Sequence, residues 1–225
     1  MGLYLGLFFL TPLLGGWLGD RFLGPRRAAI IGAVIATIGL VLLIWPAPFL
    51  IALLVSALGA GMLRCNLTAQ TGHLYARDDG RRDAGFAILF AGLNTGAFLG
   101  PLLIGALGER GEWRWGFMAA AIAMGMALLL LLAGNRTMPA DVPPTLRRAA
   151  TLQPGDGRII AGLGLVMLVT ACFWVAQSQV WNVYALWSRD WLDRDVAGLE
   201  VPVTWLQALD SLVPILAVPP VLALW

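Results

Sequence analysis

Two ionisable side chains, Arg64 and Asp210, fall within long apolar runs of the sequence. A cation near the middle of such a run is costly in hydrocarbon, so Arg64 has to face a protein interior or a wet cavity. There its guanidinium can hold a carboxylate through two parallel hydrogen bonds, and it stays charged at any ordinary pH. Asp210 lies near the outer end of the last run, within reach of water. Asn94 sits in a glycine-flanked run, where an amide can bond between helices or to a solute. Trp174 and Ser178 are four residues apart and therefore share one face of a helix. His73, the only histidine, falls at the edge of a run and reads as interfacial. The runs contain no Ser/His couple and no paired aspartates, so an enzyme acting within the membrane is not expected. Cys65 and Cys172 lie in apolar surroundings and read as small packed hydrophobes, with no metal or cofactor implied.

Positioning these groups requires membrane-spanning helices. Hydrophobic residues make up 59% of the chain and charged residues 12%, with a mean hydropathy of +0.80. A soluble domain carries about twice that share of charge. A run of about 20 apolar residues, rising 1.5 Å each as a helix, crosses a hydrocarbon core of about 30 Å. Seven spans are predicted, at 2–19, 28–45, 49–71, 85–107, 115–134, 159–187 and 202–225. The N-terminal run has no basic stretch before it and no cleavage site after it, so it reads as a span and not as a signal peptide. The 15 basic residues are all Arg, and a net charge of +2 is too small to suggest a nucleic-acid partner. Ten of these Arg lie in one set of alternate loops and four in the other. The positive-inside rule makes the ten-Arg side cytoplasmic. The Pro-rich stretch 135–158 is then a cytoplasmic linker, dividing a partial N-terminal bundle (1–134, five spans) from the start of a second bundle (159–225, two spans).

Between the first two spans stands Gly15-Gly16-Trp17-Leu18-Gly19-Asp20-Arg21, continuing to Gly24-Pro25-Arg26-Arg27. Glycines such as Gly16 let helices approach closely. Asp20 can cap a helix N-terminus or pair with an Arg, and Arg21, Arg26 and Arg27 anchor the loop at the inner lipid surface.

This loop resembles the signature that follows the second helix of major facilitator superfamily transporters. Further motifs narrow the resemblance to the proton-dependent oligopeptide transporters. Gly61-Met62-Leu63-Arg64-Cys65-Asn66-Leu67-Thr68, with Gly72 and Tyr75 after it, resembles their fourth-helix motif. Phe90-Ala91-Gly92-Leu93-Asn94-Thr95-Gly96 resembles the fifth and Trp115-Gly116-Phe117 the sixth. Phe173-Trp174 with Gln177 and Gln179 resembles the seventh, and Gly198 to Gln207 the approach to the eighth. On this resemblance the chain is an all-α polytopic protein with a partial major facilitator fold. Its seven spans stand for helices two to eight of twelve, so it reads as a fragment.

The resemblance implies a symporter of di- and tripeptides, or related small solutes, with protons in the bacterial inner membrane. It places Arg64 at the family's substrate- and proton-linked Lys, Asn94 and Trp174 in the substrate pocket, and Phe9 where a Tyr usually contacts substrate. Ser178 stands where the family has a Glu, and Asp210 where it has an Asn. Asp210 is therefore the candidate replacement acid, pairing with Arg64 or with the substrate amine. Arg64 in place of Lys keeps the charge without a releasable proton. A truncated, non-transporting product is the competing expectation.

Overall fold

The computed structural model describes the backbone of residues 2–76, 78–141, 156–180, 183–196 and 198–224; side chains 2–9, 110, 180, 199, 218 and 221–224 are outside the description. Each of the seven expected spans contains one long helix: α1 (Gly2–Leu18), α2 (Pro25–Leu42), α3 (Phe49–His73), α4 (Arg81–Arg110), α5 (Trp113–Gly134), α6 (Asp156–Gln177) and α8 (Val203–Leu224). Helices α2 to α6 are long and apolar enough to cross a membrane. A short eighth helix, α7 (Val183–Trp191), lies between α6 and α8.

Most boundaries follow local chemistry. Helix α2 begins at Pro25, three residues before the expected start, because Pro presets helical φ at the first position. Gly24 before it turns the chain at φ +88°, a conformation open to glycine. The helix ends at Leu42, ahead of the Trp45-Pro46-Ala47-Pro48 turn, since Pro disfavours helical geometry in the residue before it. One span needs correcting: 159–187 is not continuous. Helix α6 stops at Gln177, a tight 3₁₀ turn covers Ser178–Val180, and α7 restarts at Val183. The Ser178 hydroxyl donates to the Val175 carbonyl at 2.8 Å, a local bond that competes with the helical ladder. The loop before α8 also forms a two-residue hairpin, β1 (Asp195–Val196) against β2 (Leu199–Glu200), turned through Gly198 at φ +82°.

Small residues decide the packing. Ala28, Ala29, Ala33 and Ala36 of α2 are buried. A Cβ added at Gly32 would come within 2.6 Å of the Leu63 backbone nitrogen, and one at Gly59 would overlap the Ala36 backbone. Lipid offers no hydrophobic drive for helices to associate, so close backbone approach supplies the attraction. Helix α1 meets α3 in the same way: a Cβ at Gly15 would lie 2.5 Å from the Met62 Cα, and the Thr11 hydroxyl donates to the Ala57 carbonyl at 3.0 Å. Helix α5 packs on α2 and α4, and α8 packs on α4. Helix α6 contributes no buried residue.

Candidate functional site

Arg64 lies on α3 with its side chain exposed. The buried line Met62, Asn66 and Gln70 faces α1 and α2, and Arg64 points away from it. Among the described residues its guanidinium has no hydrogen-bonded or ionic partner. Asn94 stands part-buried on α4, and its amide donates to its own helix at Phe90 O, 2.8 Å away. Trp174 is 46% exposed on α6 and meets Phe173 edge-to-face, with centroids 5.8 Å apart. Ser178 lies beyond the end of α6, so its relation to Trp174 is that of a helix terminus and not of a continuous helical face. Phe9 is on α1, and its side chain lies outside the described part.

Asp210 on α8 accepts the amide of Gln177 at both carboxylate oxygens, 3.1 and 3.0 Å. The structure therefore brings the end of α6 to α8, with Gln177, Ser178 and Asp210 in one neighbourhood. It does not join Asp210 to Arg64. The expected pair is absent from this arrangement because α8 packs on α4, whereas Arg64 rides on a helix packed on α1 and α2. Gln177 entered the sequence reading only as part of a motif, and nothing local marked it as the partner of Asp210.

The signature loop is also resolved in detail. Gly19–Leu23 forms a π-helical turn that extends α1, with Trp17 edge-on to Phe22 at 5.3 Å and the Arg21 guanidinium 6.0 Å from the Phe22 ring. Gly16 faces Cys65, where an added Cβ would come within 3.0 Å of the sulfur. The N-terminus of α2 is capped by Asp141. The backbone N–H groups of Arg26 and Arg27 donate to the two Asp141 oxygens at 2.9 and 3.1 Å. Asp20 sits in the π-helical turn one residue after Gly19, ahead of the Gly24 turn, whereas Asp141 enters directly over the first turn of α2. The Arg26 side chain also donates to Asn135. The described start of the 135–158 stretch is thus docked on the loop, while residues 142–155 lie outside the description.

Asn66 carries more structure than its place in a motif suggested. It is 1% exposed, and its amide donates to Gly15 O at 2.9 Å and Met62 O at 2.8 Å, tying α3 to α1. Beside it, a Cβ at Gly19 would overlap the Asn66 carbonyl oxygen. The Gly-rich loop and the Asn two residues after Arg64 are therefore two halves of one contact.

Comparisons with known proteins agree with this architecture. Residues 26–151, more than half of the chain, match the family described as PTR2, POT family. The "Di-/tripeptide transporter" of Lactococcus lactis subsp. cremoris is 40% identical over 131 residues, covering 57% of this chain and 26% of that protein. The "Peptide transporter YePEPT" of Yersinia enterocolitica is 26% identical over 289 aligned residues, covering 97% of this chain and 57% of the relative. A solved mutant of the peptide transporter POT in complex with alafosfalin superposes with a TM-score of 0.80 at 24% identity, over 99% of this chain and 57% of that one. A POT family transporter in complex with 5-aminolevulinic acid gives 0.79 at 21% identity, over 99% and 59%. The chain thus spans a little over half the length of full-size relatives, in a partial major facilitator fold. The chain belongs to the POT family of membrane-spanning transporters.

Proposed function

We propose that this chain forms part of a proton-coupled symporter of di- and tripeptides or related small solutes. The observation that carries the reading is the family match over residues 26–151, together with a fold that follows solved peptide transporters along nearly the whole chain. The residues before the linker 135–158 form one bundle and those after it begin a second, with the linker on the cytoplasmic side of a bacterial inner membrane. Substrate and protons bind between the bundles, and access alternates as they rock. Arg64, exposed and unpaired among the described residues, offers a fork for a substrate carboxylate. On the family resemblance, Asn94, Trp174, Ser178 and the position of Phe9 are assigned to the same substrate path. Asp210, whose carboxylate accepts the Gln177 amide, is the candidate acid in place of the one missing at Ser178.

The test is uptake of a labelled dipeptide by the complete protein in proteoliposomes. Asp210→Asn is expected to remove the uptake driven by a pH gradient while leaving gradient-free exchange of dipeptide. Arg64→Ala is expected to lower both about tenfold or more, the scale of a lost charge-assisted bond. Gradient-driven uptake that survives Asp210→Asn would overturn the assignment of the proton site.

A further inference from the structure

Three contacts join α4 to α8 along one line. The two carboxylate oxygens of Glu109 accept the backbone N–H groups of Val203 and Thr204 at 3.0 and 3.1 Å. A turn earlier on α4, a Cβ added at Gly105 would overlap the Thr204 hydroxyl. One turn further back, the Trp205 indole N–H donates to Leu102 O at 3.0 Å. Leu102, Gly105 and Glu109 are three and four residues apart, so they share one face of α4. The residue before α8 is Pro202, which has no side-chain oxygen to cap the helix. Two of the orphan N–H groups of α8 are thus satisfied by a residue 94 positions away, on the far side of the linker in sequence.

We infer that Glu109 is a positioning residue for transport, an outer-end latch that holds α8 against α4 and lets go when the outer side opens. The inference rests on the transporter reading above. By the distribution of Arg, both Glu109 and the start of α8 lie on the outer side of the membrane. Glu109 is exposed, so on release both the carboxylate and the freed N–H groups return to water and no charge enters hydrocarbon. The bond also forms directly between the segment before the linker and the segment after it. A helix cap is worth little enough that differential binding of a ligand can outweigh it. Gly105 keeps the two helices close enough for the cap to reach, and the Trp205 bond sets their register.

The experiment measures how fast an impermeant maleimide, added from outside, labels Ala208→Cys in the complete protein, with Cys65→Ala and Cys172→Ala in place. Ala208 is fully buried one turn beyond Thr204, so labelling reports parting of the joint. Glu109→Ala is expected to raise the rate about fivefold, the population shift that loss of one cap produces. Trp205→Phe, which keeps the ring and loses the bond to Leu102, is expected to raise it as well. Adding Pro202→Ser to Glu109→Ala gives α8 a cap of its own, and the rate is expected to stay high because the link to α4 is still missing. An unchanged rate in Glu109→Ala, or slow labelling restored by Pro202→Ser, would overturn the latch. No substrate enters the assay, so a protein that carries a different solute gives the same result, and failure of dipeptide uptake is scored separately.

Discussion

The α1–α2–α3 block and the α4–α8 joint are held by different physics. In the block, glycines and alanines bring backbones into contact along most of a helix, and the buried Asn66 bonds across it. In the joint, one glycine, one indole and one exposed carboxylate act over two turns near one end. Backbone-on-backbone contact is hard to lose piecemeal, whereas polar bonds at one end of a helix pair can part while the rest stays folded. The first region has the character of a rigid body and the second that of a gate.

The sharpest way to break the comparison is to swell the block. Gly59→Leu drives a side chain into the Ala36 backbone and is expected to destabilise the protein by about 3 kcal/mol, seen as a lower Tm in detergent. If the block tolerated it as well as a surface change, backbone contact would not be what holds it. Asp141→Ala comes next. It strips the cap from α2 and is expected to cost about 1 kcal/mol in thermal stability without altering labelling at Ala208→Cys, since the cap lies away from the joint.

What was legible in the sequence is what is periodic or local. The apolar runs placed every long helix, and Gly15 to Arg27 marked a close helix contact with a positive loop. Arg64 stood out because a cation within an apolar run is rare. The two long-range caps left no such trace. Asp141 reaches Arg26 across 115 residues and Glu109 reaches Val203 across 94, and neither acid sits at a position that a capping pattern would flag. The break after Gln177 did leave a trace, since Gln177, Ser178, Gln179 and Asn182 make that stretch polar, but the apolar residues up to Trp187 drew the expected span across it. The Yersinia relative aligns over 289 positions against the 225 residues of this chain, so it carries segments with no counterpart here, which a single sequence cannot reveal.

The smallest effect expected lies in the loop before α4. The Arg81 side chain donates to Asp79 at 3.1 and 2.9 Å, and this bond holds the Asp79 carboxyl below the usual carboxylate range. A depressed acid contributes stability above its unfolded pKa and loses it as pH falls through the folded value. Arg81→Ala is expected to raise the Asp79 pKa toward its ordinary value, read from its carbon chemical shift, with little change in Tm because the pair is exposed.

Hydrogen exchange on the complete protein tests the central contrast most directly, comparing the amides of residues 59–66 with those of 203–206. The amides of α3 are expected to stay protected throughout. Those opening α8 are expected to exchange faster and to change their rate when a dipeptide is added. Equal protection in the two segments, or a dipeptide response confined to residues 59–66, would contradict the account.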